Sequence, residues 1–521
     1  MTAFVLVPDM FTGGDWIWDE VAGRLRDAGA EALPVVLTAT PDADLETHVR
    51  DVLRVLDAAA DSAPGGSGLV LVGHGYGIHP VLAAVGRRAT LPGLRVVHLD
   101  AGVPQDGDPA LALVPDQGLA ERLGRDGGAA VAPPDDADGW ARYGSPAGVA
   151  PDDLARLTRE AVPQPVRTLT QPLRLSGDVH TSLPTTGVLC TGNGSGIALL
   201  EHLAAFGEPR LKALVDDRVT FFELDTGHWP MLSAPAALAD VLLKAAAGEG
   251  YRLRVAADGE TPPHLRPFLL DGPEAVITRE RSGRVDLYLP DAGADGEDLA
   301  AGAPRPAIVF VHGGPVPAEA RPTPRDWPGL RGYGRYAARL GVVGVTLDHR
   351  LHDLGGYGDA AEDLAAAVEL VRADPRVDGD RVALWFFSGG GLLAADWLAE
   401  SPTWLRCVAV TYPILAPLPN WGLSDSRFRP VAAVSAAAGA APPVVLTRVG
   451  REMPEIAATV AEFLAAAEES GAPVEVVDLP DGEHGFETTD HGDAARRAVQ
   501  GAMRRVRAHL GTPGGGEGDP A

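Results

Sequence analysis

The sequence predicts an α/β protein with two domains, each a mostly parallel central sheet flanked by helices. Three observations lead to this fold class. In both halves of the chain, apolar runs of strand length alternate with helical stretches. The 521 residues are too many for one hydrophobic core and match two domains of about 250 residues each. Each half also contains one strand-like run that leads into a glycine-containing turn, at 73–77 and at 386–390.

The first half contains six apolar runs that we predict to be strands. They are Phe4–Val7, Ala32–Val36, Gly68–Val72, Leu94–Leu99, Gly187–Cys190 and Val219–Leu224. Between the fourth and fifth runs, residues 104–184 are rich in Pro, Asp and Gly, which predicts an insertion that caps the sheet. A helix ends this domain, which we assign to residues 1–247, and Gly248–Gly250 is the expected hinge.

The second domain is assigned to residues 251–511. It starts with two runs, Ala275–Thr278 and Val285–Leu289, which predict an antiparallel hairpin. Parallel strands are predicted at Ala307–Val311, Val342–Leu347, Val382–Trp385, Val408–Thr411, Val444–Thr447 and Val474–Asp478. A final helix is expected from Asp493 to Leu510, and the tail, 512–521, is rich in Gly and Pro and is expected to be disordered.

The composition argues against several classes of function. The formal net charge is −27 and the pI is near 4.8, whereas binding to nucleic acid or to an anionic membrane needs a basic surface. The two cysteines, Cys190 and Cys407, lie in no disulfide or metal-binding pattern, so we expect no metal and no cofactor. No signal peptide and no run of membrane-spanning length stands out, which predicts a cytoplasmic protein.

The two glycine-containing turns differ at the residue that would carry chemistry. Both follow a strand and precede a helix, as in the pattern G-x-S-x-G, where a tight turn projects the middle side chain above the sheet. That middle residue is Gly75 in the first half and Ser388 in the second. Because glycine has no oxygen to attack a carbonyl carbon, only the second half is expected to use a serine nucleophile.

The second half contains the other groups of such a site in the chain order serine, acid, histidine. His484 follows the last predicted strand and is the expected base. Glu452 follows the strand before it and is the expected acid, with Glu455 as the second choice. Backbone N–H groups would bind the oxyanion of the reaction. We expect these donors at Gly313, Gly314 and Gly389.

These residues make the second half resemble the α/β-hydrolase superfamily, most closely its dienelactone hydrolase and carboxylesterase (feruloyl-esterase-like) branches. The resemblance covers nearly all of residues 270–511 and includes the loop His312-Gly313-Gly314. It implies a mostly parallel sheet and the hydrolysis of an ester or related acyl bond through an acyl-enzyme. The sequence departs from the pattern at Phe386, which stands where the turn has its first small residue.

The first half resembles a different branch of the same superfamily, which contains small esterases and plant hydroxynitrile lyases. The segments 99–104 and 224–232 carry this likeness, together with the turn at 73–77. The resemblance implies a second hydrolase-like sheet, so the whole chain is expected to contain two tandem α/β-hydrolase domains.

This first domain departs from its branch at the positions that perform catalysis. Gly75 replaces the nucleophile, Asn193 stands at the usual acid position, and Pro8-Asp9 replaces the H-G start of the oxyanion loop. Only His228 of the triad is expected to remain, with His74 beside it in the turn. We therefore predict a degenerate site in a domain that serves packing, dimerisation or substrate gating.

The predicted function is hydrolysis of a small-molecule carboxylic ester, lactone or thioester in the C-terminal domain. A peptidase or amidase of the same fold is one alternative. The other is a non-catalytic binding or scaffold protein in which both sites are degenerate. The expected partners are the small-molecule substrate and, as a further option, a second copy of the chain in a homodimer.

Overall fold

The structure is a computed structural model in which backbone contacts divide the chain into two compact units. The N-terminal unit consists of residues 1–204, 209–255 and 418–424, and the C-terminal unit of residues 205–208, 256–417 and 425–521. The structure describes residues 2–62, 68–88, 91–116, 118–126, 128–175, 182–205, 211, 214–254, 261–270, 277–290, 303–423, 426–437 and 439–511. The predicted tail, 512–521, lies outside these described residues.

A parallel sheet forms the centre of the N-terminal unit. The strands of this unit are β1 (Ala3–Val7), β2 (Glu31–Pro34), β3 (Leu69–His74), β4 (Leu94–Leu99), β5 (Ala130–Val131), β6 (Gln164–Pro165), β7 (Thr185–Cys190) and β8 (Val219–Leu224). The central sheet has the order β2-β1-β3-β4-β7-β8, and every neighbouring pair in it is parallel. Its six strands overlap the six predicted runs, because strands buried on both faces read as continuous apolar segments. β5 and β6 form a separate antiparallel pair.

Helices flank this sheet and occupy the insertion between β4 and β7. They are α1 (Asp19–Asp27), α2 (Leu45–Ser62), α3 (Ile78–Arg87), α4 (Gly118–Asp126), α5 (Ala137–Ala141), α6 (Pro151–Glu160), α7 (Val166–Thr170), α8 (Ile197–Ala205), α9 (Pro230–Ser233) and α10 (Pro235–Ala247). Helices α4 to α7 lie within the segment 104–184. Gly144 of this segment packs so closely on His228 that an added Cβ would lie 2.5 Å from the histidine Cβ. The insertion therefore reaches the histidine that follows β8.

An eight-stranded sheet forms the centre of the C-terminal unit. Its strands are β9 (Thr278–Ser282), β10 (Val285–Leu289), β11 (Arg305–Val311), β12 (Val343–Leu347), β13 (Val377–Phe387), β14 (Leu405–Thr411), β15 (Val444–Val449) and β16 (Val474–Leu479). Their order is β16-β15-β14-β13-β11-β12-β10-β9. The strands from β16 to β12 are parallel, and β10 and β9 are antiparallel to their neighbours, as the predicted hairpin requires.

The first strand of the hairpin lies later in the chain than its apolar run predicts. The predicted strand is Ala275–Thr278, whereas the observed strand runs from Thr278 to Ser282; residues 271–276 lie outside the described residues. β9 is an edge strand with exposed charged side chains, so apolar content does not mark it. Arg281 instead pairs with the fully buried carboxylate of Asp286 on β10.

Helices also flank the sheet of the C-terminal unit. They are α11 (Pro328–Arg339), α12 (Tyr357–Ala373), α13 (Ala394–Glu400), α14 (Pro430–Ala436), α15 (Pro454–Ser470), α16 (Phe486–Thr489) and α17 (Asp493–His509). Within the part of the chain that the structure describes, none of the helices has both the length and the apolar character needed to cross a membrane.

In each unit the residues that follow the parallel strands meet along one edge of the sheet. Parallel strands share a carboxyl edge, which is where α/β proteins place their ligands. In the C-terminal unit Ser388 follows β13, Glu452 comes after β15 and His484 comes after β16. In the N-terminal unit Gly75 follows β3 and His228 comes after β8. The fold therefore gathers both predicted sites from distant parts of the sequence.

Candidate active site

Ser388 begins a tight turn directly after β13. Its backbone φ is +50°, a left-handed conformation that is uncommon for residues with a side chain. The chain continues as a 3-10 helix, Ser388–Leu393, into α13. A Cβ at Gly390 would overlap the carbonyl oxygen of His312, so only glycine fits there. The turn thus holds the serine in a strained conformation of the kind that clusters at functional sites.

Phe386 fits beside this turn although the pattern has a small residue at its position. Its side chain is fully buried, and its backbone pairs with both β11 and β14. Side chains alternate between the two faces of a strand, so Phe386 lies on the face opposite to Trp385 and Phe387, which belong to one core cluster. The ring therefore packs against the sheet, and the contact between Ser388 and His484 is kept.

The structure brings Ser388, Glu452 and His484 together. His484 Nε2 lies 2.8 Å from Ser388 Oγ. The other ring nitrogen, Nδ1, lies 2.9 and 3.0 Å from the two carboxylate oxygens of Glu452. The side chains of His484 and Glu452 are only 6% and 4% exposed, so little water competes for these hydrogen bonds. Glu455, the second choice for the acid, lies in the first turn of α15.

The loop after β11 places glycine backbone next to the serine. A Cβ on Gly313 would lie 2.8 Å from Ser388 Cβ, and a Cβ on Gly389 would overlap the carbonyl oxygen of Gly314. These contacts require glycine and bring the three predicted oxyanion-binding residues close to the nucleophile. The next residue, Pro315, has no N–H, so the loop offers no donor at that position.

His312, at the start of this loop, has a structural role in the arrangement. Its ring stacks on that of His349 with centroids 3.6 Å apart. Its Nδ1 donates to the carbonyl oxygen of Gly313 at 2.5 Å. Burial lowers the pKa of His312 to about 4, so the ring is neutral at physiological pH. The stacked pair fixes the loop that faces Ser388.

In the N-terminal unit, His228 lies between two carboxylates. Its Nδ1 is 2.7 Å from Asp100 Oδ2, and its Nε2 is 3.0 Å from Asp9 Oδ2. Because a carboxylate only accepts hydrogen bonds, both ring nitrogens carry protons. Burial lowers the pKa of His228, but the hydrogen bonds and charges of Asp100 and Asp9 raise it by more, to about 10. His228 is therefore an imidazolium at neutral pH and has no lone pair with which to accept a proton.

The expectation that only His228 remains of a triad in this unit is wrong. Asp100, directly after β4, supplies a carboxylate to the imidazole. Asn193, at the usual acid position, donates its side-chain amide to Asp100 Oδ2 at 2.7 Å and accepts a hydrogen bond from the Ser145 N–H at 2.7 Å. Asn193 thus helps to hold the acid. The acid was expected after β7, whereas Asp100 follows β4.

Asp9 occupies the space above Gly75. The Tyr76 N–H donates to Asp9 Oδ1 at 2.5 Å, while Oδ2 faces His228. Gly75 has a φ of +49°, and a Cβ there would overlap the Asp9 carboxylate. Burial raises the pKa of Asp9, but the hydrogen bond and charge of His228 lower it by more, so the carboxyl group is ionised. In the sequence, Asp9 stands out only because it occupies the glycine position of the H-G start.

His74 is the remaining residue of the predicted degenerate site. Its Nε2 lies 2.7 Å from the backbone oxygen of His228, and burial and the charge of His228 lower its pKa to about 4. Ligand atoms of Asp9, His74 and His228 lie within 4.8 Å of one another, a spacing at which a metal ion can be held. Here the carboxylate and the imidazolium already neutralise each other through a hydrogen bond.

Part of the chain is similar to known hydrolases. Residues 4–241 match the alpha/beta hydrolase family. A carbendazim hydrolyzing esterase from Nocardioides sp. (strain SG-4G) is 36% identical over 124 residues, which cover 22% of this chain and 48% of that protein. The match therefore spans about half the length of this relative.

Two solved esterase structures are similar to part of this chain. An esterase from Thermogutta terrifontis with propionate bound is 20% identical, with a TM-score of 0.35, over 46% of this chain and 94% of that chain. The carboxylesterase EstE1, cloned from a metagenomic library, is 20% identical, with a TM-score of 0.37, over 47% of this chain and 92% of that chain.

Two further residues beside the candidate triad were missed by the sequence analysis. Tyr412 directly follows β14 with a φ of +36°, and its ring centroid lies 4.6 Å from that of His484. Its hydroxyl is hydrogen-bonded to Oε1 of Glu487, a buried carboxyl group whose pKa is raised by burial. This pair links the loop after β14 to the helix that follows His484. The one signal in the sequence is that Tyr412 ends a strand at the same edge as Ser388.

Proposed function

We propose that the protein is a serine hydrolase that cleaves a small-molecule carboxylic ester, lactone or thioester in its C-terminal unit. The observation that carries the proposal is the continuous hydrogen-bonded chain from Ser388 through His484 to Glu452. The relative that is 36% identical is an esterase, which supports the same type of bond. We assign catalysis to the domain 251–511 and propose that the domain 1–247 is inactive.

The contacts around His484 define the proton transfers of the proposed reaction. With Nδ1–H donated to Glu452, Nε2 carries a lone pair and takes the Ser388 proton as the serine oxygen attacks the acyl carbon. Glu452 stabilises the imidazolium that forms. His484 then gives this proton to the leaving alcohol or thiol, and an acyl group remains on Ser388. Water next gives a proton to His484 and attacks the acyl carbon, which frees the acid and returns the proton to Ser388.

Backbone N–H groups are proposed to hold the negative charge that develops on the acyl oxygen. The candidates are the amide of Gly389 and those of Gly313 and Gly314, all adjacent to Ser388. Such a donor is worth about 3 kcal/mol when it is aimed at the oxyanion. The neutral, buried His312 fixes the loop that carries two of these amides.

Intact-mass spectrometry after treatment with a fluorophosphonate tests the nucleophile. We expect one phosphonate adduct per chain in the parent protein and none in Ser388→Ala. Ser435→Ala is the matched control, because Ser435 is exposed on α14 and should not affect labelling. A parent without an adduct, or an adduct that persists in Ser388→Ala, would contradict the proposal.

The bond type is tested by turnover. We expect hydrolysis of p-nitrophenyl acetate by the parent and by Ser435→Ala, and its loss in Ser388→Ala. Small thioesters and lactones then establish which acyl derivative is cleaved fastest. A protein that takes the fluorophosphonate but hydrolyses none of the three would have an activated serine with a different substrate, and the ester proposal would fail.

A further inference from the structure

Each unit has a space at the equivalent place beside its turn, and a different side chain fills that space in each unit. At the end of β1, Val7 pairs with Gly73, and at the end of β11, Val311 pairs with Phe386. Counting two residues onward from each pair gives equivalent positions in the two units. These positions are Asp9 and Gly313 in the loops, and Gly75 and Ser388 in the turns. In each unit, one of the two facing residues is glycine.

The space between the facing positions accepts only one side chain. In the C-terminal unit a Cβ on Gly313 would lie 2.8 Å from Ser388 Cβ. In the N-terminal unit a Cβ on Gly75 would overlap the carboxylate of Asp9. The Asp9 carboxylate is held by the Tyr76 N–H and by His228, so relieving its clash would cost both of these hydrogen bonds. A serine at position 75 and an aspartate at position 9 therefore exclude one another.

The carboxylate of Asp9 uses the partners that a serine oxygen and an oxyanion would use. Its Oδ2 contacts His228 Nε2, just as Ser388 Oγ contacts His484 Nε2. Its Oδ1 accepts the N–H of Tyr76, which is the amide directly after the nucleophile position. Asp9 thus lies in the site as the carboxylate product of an acyl hydrolysis would.

The acid and base behind Asp9 are intact. His228 and Asp100 have side chains that are 5% and 2% exposed, and their hydrogen bond is 2.7 Å long. The amide of Asn193 holds the same oxygen of Asp100. Apart from the two exchanged positions, this unit retains an imidazole, a carboxylate and an oxyanion donor in the arrangement of a serine site.

We propose that the N-terminal unit contains a carboxylate-binding site, formed by the Tyr76 amide and the His228 imidazolium, which the protein fills with its own Asp9 side chain. The inference goes beyond the proposed function, because it concerns the other unit and does not depend on Ser388. Exchanging Asp9 for glycine empties the site, and exchanging Gly75 for serine in the same protein creates a reactive serine. Neither exchange alone creates a reactive serine.

The reaction of the doubly exchanged unit with a fluorophosphonate balances in one step. The hydroxyl oxygen at position 75 forms a bond to phosphorus, the P–F bond breaks, and fluoride leaves. The hydroxyl proton passes to His228 Nε2, which becomes able to accept it once the charge of Asp9 is removed. Asp100 holds the imidazolium that results.

Mass spectrometry of four variants tests this proposal in a Ser388→Ala background, which removes the adduct expected on the C-terminal unit. The variants are Gly75→Ser, Asp9→Gly, Asp9→Gly with Gly75→Ser, and Asp9→Asn with Gly75→Ser. We expect one adduct, on residue 75, only in Asp9→Gly with Gly75→Ser. The asparagine variant is the matched control, because asparagine has nearly the size of aspartate and keeps the space filled.

Three results would overturn the proposal. They are an adduct in Gly75→Ser alone, an adduct in the asparagine control, and the absence of an adduct in a folded Asp9→Gly, Gly75→Ser protein. Circular dichroism and thermal melting establish which of the variants are folded.

A second measurement does not need a new serine. Asp9→Gly alone empties the site, so acetate or formate should raise its melting temperature in a saturable manner, whereas acetamide should not. The parent, whose site is filled by Asp9, should not respond. An equal response of the parent and the variant, or no response of the variant, would contradict a carboxylate-binding site.

The parent protein also offers a test without substitution. Because His228 has two carboxylate partners, both of its ring nitrogens should carry protons at pH 7. The 15N chemical shifts of these nitrogens report their protonation directly. An unprotonated ring nitrogen in His228 would overturn the proposal whether or not the variants fold.

Discussion

In both units a histidine lies at the carboxyl edge of the parallel strands, but the group that faces the histidine differs in charge. In the C-terminal unit His484 faces the neutral hydroxyl of Ser388, and in the N-terminal unit His228 faces the anionic carboxylate of Asp9. Each histidine also has a carboxylate on its other nitrogen. A hydroxyl has a proton to give to the imidazole, whereas a second carboxylate holds the imidazole as a cation. The group in front of the histidine therefore decides whether the histidine–acid pair can act as a base.

The units also differ in the strand that supplies the acid. Asp100 directly follows β4, and Tyr412 directly follows β14; each strand lies next to the one that carries the turn. Both residues have positive φ, +42° and +36°. Asp100 binds its histidine through a carboxylate, and Tyr412 contacts its histidine through a ring. The same backbone position thus reaches the histidine in both units, and its side chain determines the role.

The largest difference between the two units is expected in ester turnover when the histidine of each unit is replaced. His484→Ala removes the proposed base and should lower kcat for p-nitrophenyl acetate by on the order of 10⁴-fold to 10⁶-fold. His228→Ala should leave ester turnover unchanged, because His228 belongs to an ion-pair network in the other unit. Steady-state kinetics on folded proteins measures both. A large loss of turnover in folded His228→Ala would make the N-terminal unit part of the catalytic machinery and contradict our assignment.

The stability of the N-terminal unit should depend on His228. His228→Gln leaves the buried carboxylates of Asp9 and Asp100 without their cation, and breaking such a pair costs about 3–5 kcal/mol in unfolding free energy. His484→Gln is the counterpart in the other unit and leaves only Glu452 unpaired, so we expect a smaller loss. Chemical denaturation followed by tryptophan fluorescence measures both losses. Equal losses of unfolding free energy in the two variants would show that leaving a second carboxylate unpaired adds no further cost.

The same ion pairs should make the stability of the N-terminal unit depend on pH. The pKa of His228 is raised from 6.5 to about 10, so its contribution is complete below pH 6.5 and is lost as the pH rises through 10. The pKa of Asp9 is lowered, so its contribution is present above its unfolded pKa and is lost as the pH falls through its folded pKa. The unfolding free energy should fall by about 1.4 kcal/mol per pH unit between about 7 and 10. Denaturation of the parent across this range measures the slope, which should be absent in His228→Gln.

Filling the shared space of the C-terminal unit should reduce activity without unfolding the protein. Gly313→Ala places a Cβ 2.8 Å from Ser388 Cβ and should displace the serine or the oxyanion loop. A displacement of about 1 Å at a reacting group costs on the order of 100-fold in rate. Gly358→Ala on α12 is the control, because a Cβ there meets nothing within 4 Å. Turnover by Gly313→Ala that matches this control would show that the space holds two side chains after all.

The smallest effect is expected at Tyr412. Tyr412→Phe keeps the ring against His484 and removes the hydrogen bond to Glu487, which should lower kcat by about tenfold through a less well-held imidazole. Tyr288→Phe, which removes the hydroxyl of another buried tyrosine of the same unit, is the control. The pH dependence of kcat separates a change in the imidazole from a general loss of stability. A kcat and a pH profile equal to those of the parent would exclude a positioning role.

The sheets were predictable from the sequence because burial on both faces requires continuous apolar runs. This holds for the central strand β3 and for residues 382–387 of β13, which are all buried. It fails for β9, an edge strand whose exposed arginines and glutamate satisfy hydrogen bonding without apolar content. Edge position is a property of the folded sheet, so a local run of residues does not report it.

The candidate sites were predictable only where residue type and chain order carry the information. The order of Ser388, Glu452 and His484 gave the residues that the structure brings together. The path of the chain after β15 determines which of Glu452 and Glu455 reaches His484. The contact between Asp9 and His228 joins residues 219 positions apart, and no local pattern encodes it. The sequence therefore shows that the N-terminal unit has no serine at position 75, but not that Asp9 occupies the space above Gly75.

The single space above Gly75 also limits how this chain can change over generations. A mutation to serine at position 75 while Asp9 remains puts two side chains where one fits. A mutation to glycine at position 9 while Gly75 remains leaves a void beside the ring of His228. A change to serine chemistry in this unit thus passes through an unfavourable intermediate in either order. A nucleophile would arise at position 75 only through two coordinated mutations.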